Sequence, residues 1–236
     1  MNLEELFEKL SYGVLSNLSI SGEGSGVIPE KGQRKLTLYT NEALKRIYSR
    51  FVLKEQEVTI ETYEYITNYH LVPRFAVNYV PSSEEDNEPI RYIMDLPEER
   101  FHGDVIRILS VRNNLEEQLP LNNEDHPLSV FIPQANVLQV PNPVSERMLA
   151  VTYQALHPTL TGDLDQRIEL HPSFEEALIA YIAYKTYSHM NTQDATAKSQ
   201  EHYQLFEGIC KEVEDRNTAS TSTTTSNTRF ERNGWI

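Results

Sequence analysis

Seven histidines, one cysteine and 35 acidic side chains are the groups in this 236-residue sequence that could do chemistry. His157 and His171 each stand directly before a proline, where a turn is expected, and read as structural. His189 and His202 lie more than three helical turns apart, so one continuous helix face cannot bring them together. Glu124-Asp125-His126 has metal-capable side chains, but three consecutive loop residues lack the geometry of a defined metal site. Asp163 and Asp165 could be read as a carboxylate pair. Acid–base work needs a cleft and shifted pKa values, and the run Leu160-Thr161-Gly162-Asp163-Leu164-Asp165 reads as a turn. Cys210 falls on the apolar stripe of a predicted helix, which suits a small core residue better than a nucleophile. A lone cysteine excludes an internal disulfide framework and a Cys-based zinc site, and it suits a reducing cytosol. No G-x-S-x-G, H-E-x-x-H or dinucleotide fingerprint occurs. The Gly-rich stretch SGEGSGVIP at 21–29 lacks the GK[ST] ending and the preceding strand of a phosphate loop. The sequence therefore calls for no catalytic residue, no metal and no cofactor, and it points away from an enzyme.

What remains is interaction, and the totals bound it. Net charge is −14, and 39% of residues are hydrophobic. The pI is about 4.9 and the mean hydropathy −0.50. Tight wrapping of nucleic acid needs a clustered positive footprint, which this balance does not favour. A negative wall would instead let DNA slide past without sticking. No apolar run approaches the ~18–20 residues needed to span a membrane. The opening MNLEELFEKLSYGVLSNLSI is acidic where a cleaved export signal would be basic, so export is not expected.

The elements that must position any such surface are helices at both ends and strands between. Residues 3–17 carry Leu3, Leu6, Phe7, Leu10 and Val14 at helical spacing, and Asn2 with Glu5 resembles a capping box. Pro29 opens a second helix running to around Val52, with Leu36, Tyr39, Ala43, Leu44, Ile47 and Phe51 inward. Its other face holds Lys31, Arg34, Lys35, Lys45, Arg46 and Arg50, a local reversal of sign in an acidic chain. That face is either solvated or meets an acidic neighbour such as another copy of the chain. Val58–Thr67 is rich in β-branched and aromatic residues and predicts a strand. Further strands are predicted at Phe75–Tyr79, Val105–Val111, Val130–Ile132, Val137–Val140 and Leu149–Ala155, with Pro and Asn punctuation suggesting a small barrel or sandwich. The stretch Ser82–Pro89 reads as an acidic loop. Ser173 and Glu176 fit an S-x-x-E capping box for a helix to about Met190, and Asn191-Thr192 separates it from another helix at Asp194–Asp215.

The fold class expected is α+β. Residues 1–55 and 172–216 would make a helical bundle, 56–171 an inserted β-rich domain, and 217–236 an extended arm. Tyrosine is abundant at 13 residues, and Tyr63, Tyr65, Tyr69, Tyr153, Tyr181, Tyr184 and Tyr187 suit either core packing or subunit contacts. The arm begins with a Ser/Thr/Asn tract, 217–228, that buries too little to order itself. It ends Arg229-Phe230-Glu231-Arg232-Asn233-Gly234-Trp235-Ile236 and carries the only Trp. Trp and Arg are enriched at interface hot spots, so this reads as a polar tether with a gripping tip.

Three stretches resemble the head-to-tail adaptor (connector) proteins of tailed bacteriophages, especially the tail-tubular-protein-A-like adaptors. They are the N-terminal helix pair with the long helix around Leu36–Phe51, the run AVTYQALHPTLTGDLDQRIEL leading into FEEALIAYIAYKTYSHM, and the tether ending NTRFERNGWI. The resemblance implies a structural virion protein at the capsid vertex. It implies a homo-oligomeric, dodecameric ring beneath the portal protein, extending the DNA channel and receiving the tail or nozzle protein, with DNA passing without specific binding and no membrane involved. It makes Arg229, Phe230, Arg232, Trp235 and Ile236 the portal-docking candidates, and Arg34, Lys35, Lys45, Arg46 and Arg50 a candidate ring contact. Residues 56–148 do not match that family closely. The alternatives are another neck or tail completion (stopper) protein, a glycan-binding β module, or a hydrolase using carboxylates of the β region.

Overall fold

The computed structural model describes residues 1–22, 25–80, 89–190 and 192–216. The whole arm 217–236, most of the acidic loop Ser82–Pro89, Asn191 and part of the Gly-rich loop lie outside the described residues.

The first helix, α1 (Leu3–Tyr12), starts on the capping box expected. Glu5 N–H donates to Asn2 Oδ1 at 2.8 Å, and Asn2 N–H donates to Glu5 Oε2 at 3.2 Å. The helix stops at Tyr12 rather than near residue 17, because Gly13 leaves helical backbone with φ −97° and ψ −121°. The apolar pattern continues beyond it for another reason: Leu15 is fully buried through a turn, its N–H donating to Leu10 O. A short 3-10 turn at Ser19–Ser21 then brings the chain to α2 (Glu30–Arg50). Gly32 makes that approach possible, since a Cβ there would sit 2.3 Å from Ile20 O.

The β region holds a four-stranded sheet in the order β3-β1-β7-β4 and a three-stranded sheet β2-β6-β5. The first is built from β1 (Glu55–Thr62), β3 (Ile93–Met94), β4 (Val105–Arg112) and β7 (Arg147–Ala155). The second contains β2 (Asn68–His70), β5 (Phe131–Gln134) and β6 (Val137–Gln139). All strand pairs are antiparallel, with β1 and β7 in register from Glu55↔Gln154 to Thr62↔Arg147. Ile60, Val111 and Val151 of one sheet and Tyr69 and Leu138 of the other enter one buried cluster. The fold is α+β as expected. Among the described residues the two sheets are open, so the closed barrel suggested by the strand spacing does not form.

Two strand expectations are corrected. The run after Thr62 turns away because Thr62 Oγ1 donates back to Arg147 O at 3.1 Å, while Tyr63 O accepts from Ile66 N–H in a turn. Phe75–Tyr79 is not a strand: Pro73 starts a 3-10 turn, Pro73–Phe75, and only Ala76 bridges to Ile93.

The described residues end with the helical hairpin α3 (Glu175–Ser188) and α4 (Gln193–Asp215). The Ser173/Glu176 box is not formed. Pro172–Phe174 is a 3-10 turn, and His171 Nδ1 accepts from Ser173 N–H at 3.3 Å. Thr192 caps α4 by accepting from Ala195 N–H at 3.3 Å. All four helices share one apolar core, with Leu6 of α1, Leu36, Leu44 and Ile47 of α2, Leu178 and Ile182 of α3, and Phe206 and Cys210 of α4. Each large aliphatic side chain so buried contributes at most about 1.5–3 kcal/mol.

Candidate functional site

The groups that looked reactive are spent on structure. His157 has both ring nitrogens engaged: Nε2 accepts from Glu169 N–H at 3.0 Å, and Nδ1 lies 2.6 Å from Pro158 O. Burial pushes its pKa down, although the bond to Pro158 and the charge of Glu169 work the other way. His189 stacks on Tyr39 at 5.6 Å and His202 on Tyr187 at 5.5 Å, so the hairpin sends the two to different partners. His126 turns onto its own loop, accepting from Leu128 N–H at 3.2 Å. Asp163 Oδ1 accepts from Asp165 N–H at 3.2 Å and closes a turn on the surface. Among the described residues no cluster of His, Cys, Asp or Glu could hold a metal ion. Cys210 is fully buried, and desolvation raises its thiol pKa to about 11.

The tyrosines divide. Tyr69, Tyr153 and Tyr187 are buried, and Tyr187 Oη donates to Val14 O at 3.0 Å. Tyr181 and Tyr184 pack edge-on at 5.5 Å beneath Tyr203 and Phe206 of α4. Tyr65 alone of the seven stands well exposed.

Two surfaces stand out among the described residues. The first is the outward face of α2. Lys31, Arg34, Lys35, Lys45 and Arg46 are exposed there, since helical spacing brings positions 31, 34, 35, 38, 45 and 46 onto one side. Lys35 Nζ lies 5.7 Å from the Tyr39 ring. None of the other four makes an ion pair with another described residue. Leu38, in the middle of this stripe, is 56% exposed. Arg50 is different: it turns toward α4 and is held inside the chain. Its Nη1 meets Glu207 Oε2 at 2.7 Å, and its Nε and Nη2 meet the two oxygens of Glu214 at 2.7 and 3.0 Å. The hydrogen bond from Arg50 holds the Glu214 carboxyl below the ordinary range. Burial works against Glu207, yet hydrogen bonds from Arg50 and Tyr203 bring its pKa down as well. Of the five basic residues singled out from sequence, Arg50 thus secures α4 against α2.

The second surface is one that sequence reasoning missed, a groove of about 950 Å³ running along β1 beside the end of β3 and the loop after it. Glu55 and Glu57 of β1 and Asp95, Glu98 and Glu99 of the loop after β3 give it five carboxylates against Lys54 and Arg100. Asp95 is spoken for, accepting from Asn78 N–H at 2.9 Å and Phe101 N–H at 3.1 Å, and Glu57 pairs with Arg112. Glu98 and Glu99 point to solvent. Leu96 is 64% and Met148 38% exposed beside them. The alternating polar residues of β1 hint at a solvated sheet face, but no spacing in the sequence shows that residues 95–102 fold over it.

Among the described residues no helix is long and apolar enough to cross a membrane. The candidate arm residues Arg229, Phe230, Arg232, Trp235 and Ile236 lie outside the described residues. No curated protein matches the chain. A family model described as SU10 adaptor protein matches residues 26–229, from ahead of α2 through α4 into the arm. The chain belongs to that family, whose members are structural adaptor proteins of phage virions.

Proposed function

We propose that this member of the SU10 adaptor protein family is the ring-forming head-to-tail adaptor of its virion, seated under the portal and receiving the tail or nozzle below. The family match across most of the chain carries the reading. The helical core of 1–55 and 172–216 is the ring body, 56–171 is the inserted β-rich part, and 217–236 is the arm. In the arm, Asn217–Thr228 supplies reach, while Arg229, Phe230, Arg232, Trp235 and Ile236 supply grip on the portal.

One such hook binds weakly, but a ring presents many. Tethering turns later contacts into nearly intramolecular ones and so adds affinity without new contact types. The net charge of −14 suits a channel through which DNA slides without sticking. Arg34, Lys35, Lys45 and Arg46 on the outward face of α2 serve contacts between neighbours in the ring.

The test is co-assembly of the full chain and of a chain lacking 217–236 with the portal protein of the same virion. The truncated chain should lose the portal while keeping its own fold. Undiminished attachment would remove the hook from the mechanism. Attachment of the full chain to isolated tail protein but not to portal would make it a stopper instead.

A further inference from the structure

We infer that the outward face of α2 in one copy docks into the acidic groove along β1 of the next copy. This rests on the ring reading above and names the two surfaces that would close the ring. The charges are complementary: Lys31, Arg34, Lys45 and Arg46 are exposed without ion pairs among the described residues, and the groove carries an excess of carboxylate with Glu98 and Glu99 open to solvent. In a chain of net charge −14, two copies repel in most orientations, so a local reversal of sign selects the one orientation that brings it against carboxylate.

The apolar parts are complementary too. Leu38 stands exposed in the middle of the basic stripe, and Leu96 and Met148 stand exposed at the groove. A charged rim around a desolvated aliphatic centre is the ordinary anatomy of a protein interface. The two surfaces share no residue. A contact between them is therefore heterologous, and repetition of a heterologous contact makes a closed ring or an open filament. The stripe is a poor match for duplex DNA, because Leu38 and Glu42 interrupt its positive charge.

Charge exchange tests this on the full chain. One variant carries Lys31→Glu, Arg34→Glu and Lys45→Glu; the other carries Glu98→Lys and Glu99→Lys. All five positions are exposed, so both chains should unfold thermally as the wild type does. By sedimentation, each variant alone should lose self-association by at least about tenfold through like-charge contact. An equal mixture of the two should regain it, since each reversed surface then meets the opposite sign on the other chain. Should the triple variant unfold, Arg34→Glu with Glu99→Lys repeats the exchange.

Unchanged association of either variant, no recovery on mixing, or a wild-type chain that stays monomeric at all concentrations overturns the pairing. So does a stripe variant that loses only binding to duplex DNA. A wild-type chain that still joins the portal in any of these cases leaves the adaptor reading standing. Failure of the wild-type chain to join the portal overturns that reading itself.

Discussion

Arg50 and Glu214 form a two-point ion pair, Nε to Oε1 at 2.7 Å and Nη2 to Oε2 at 3.0 Å, which ties the last turn of α2 to the last turn of α4. Glu207, two turns earlier on α4, takes the remaining side of the same guanidinium. The fork geometry matters here, because a lysine offers one point charge where arginine offers several fixed donors. The pair holds the last turn of α4, just ahead of residue 217, against the end of α2. Arg50→Ala should lower stability by about 1 kcal/mol, the scale of a half-exposed ion pair. Arg50→Lys should recover only part of it. Urea unfolding of the three chains decides this, and equal midpoints would show that the clamp contributes nothing.

Gln154 is the corresponding link between the helices and the sheet. It is fully buried on β7, and its Nε2 donates to the carbonyls of Tyr48 and of Phe51, the latter at 2.9 Å, while Oε1 accepts from Arg107 Nε at 2.7 Å. It thereby satisfies carbonyls at the C-terminal end of α2 that have no helical partner. Gln154→Leu keeps the volume but strands the Tyr48 carbonyl, whereas Phe51 O still accepts from Leu53 N–H at 3.0 Å; the change should cost about 2 kcal/mol. A loss below about 0.5 kcal/mol in chemical unfolding would indicate that water reaches the site.

His157 sets a pH dependence whose sign is fixed. Burial lowers its folded pKa below the ordinary value near 6.5, so the unfolded chain binds the proton more readily. Its contribution is fully present above about pH 6.5 and is lost as pH falls through the folded pKa. Glu207 and Glu214, whose pKa values are lowered, add a second loss only in the carboxylate range, near pH 4 and below. Melting temperature against pH should therefore fall in two steps. His157→Gln should shrink the upper step to the share of His202, whose pKa burial also lowers, and leave the lower step unchanged.

Cys210 is shielded, with its thiol pKa pushed up to about 11 by burial. A thiol reagent at neutral pH should label the native chain at the rate of global unfolding rather than at the rate of a free thiol. Rapid labelling of a chain that keeps its helical circular dichroism would mean that α4 opens locally.

For the arm, reach and grip separate by substitution. On the proposed division of roles, replacing 217–228 with a Gly/Ser segment of equal length should leave portal attachment within about twofold, because reach is set by length. Trp235→Ala should weaken attachment by at least about tenfold, the scale of an interface anchor. Reversal of these two outcomes would assign recognition to the Ser/Thr tract.

Whatever depends on neighbours along the chain is legible in the amino-acid sequence. The Asn2/Glu5 cap, the start of α2 after Pro29, the long pair of C-terminal helices and the individual strands at Val105–Val111 and Leu149–Ala155 follow from periodicity and capping, which act over a few residues. The absence of catalytic motifs was equally readable, because such motifs are local patterns. Errors arose where a distant group intervened. Thr62 turns to Arg147 and ends a strand that β-propensity would have continued, and His171 takes the role that Ser173 offered. Helical phase already sets Arg50 about 160° around α2 from Arg34 and about 140° from Lys45, but it took the packing of α4 against α2 to show that Arg50 meets Glu207 and Glu214 there. Tertiary folding alone also assembled the carboxylates of β1 with those of the loop after β3. Long-range pairing brings those residues together, and no period in the chain encodes it.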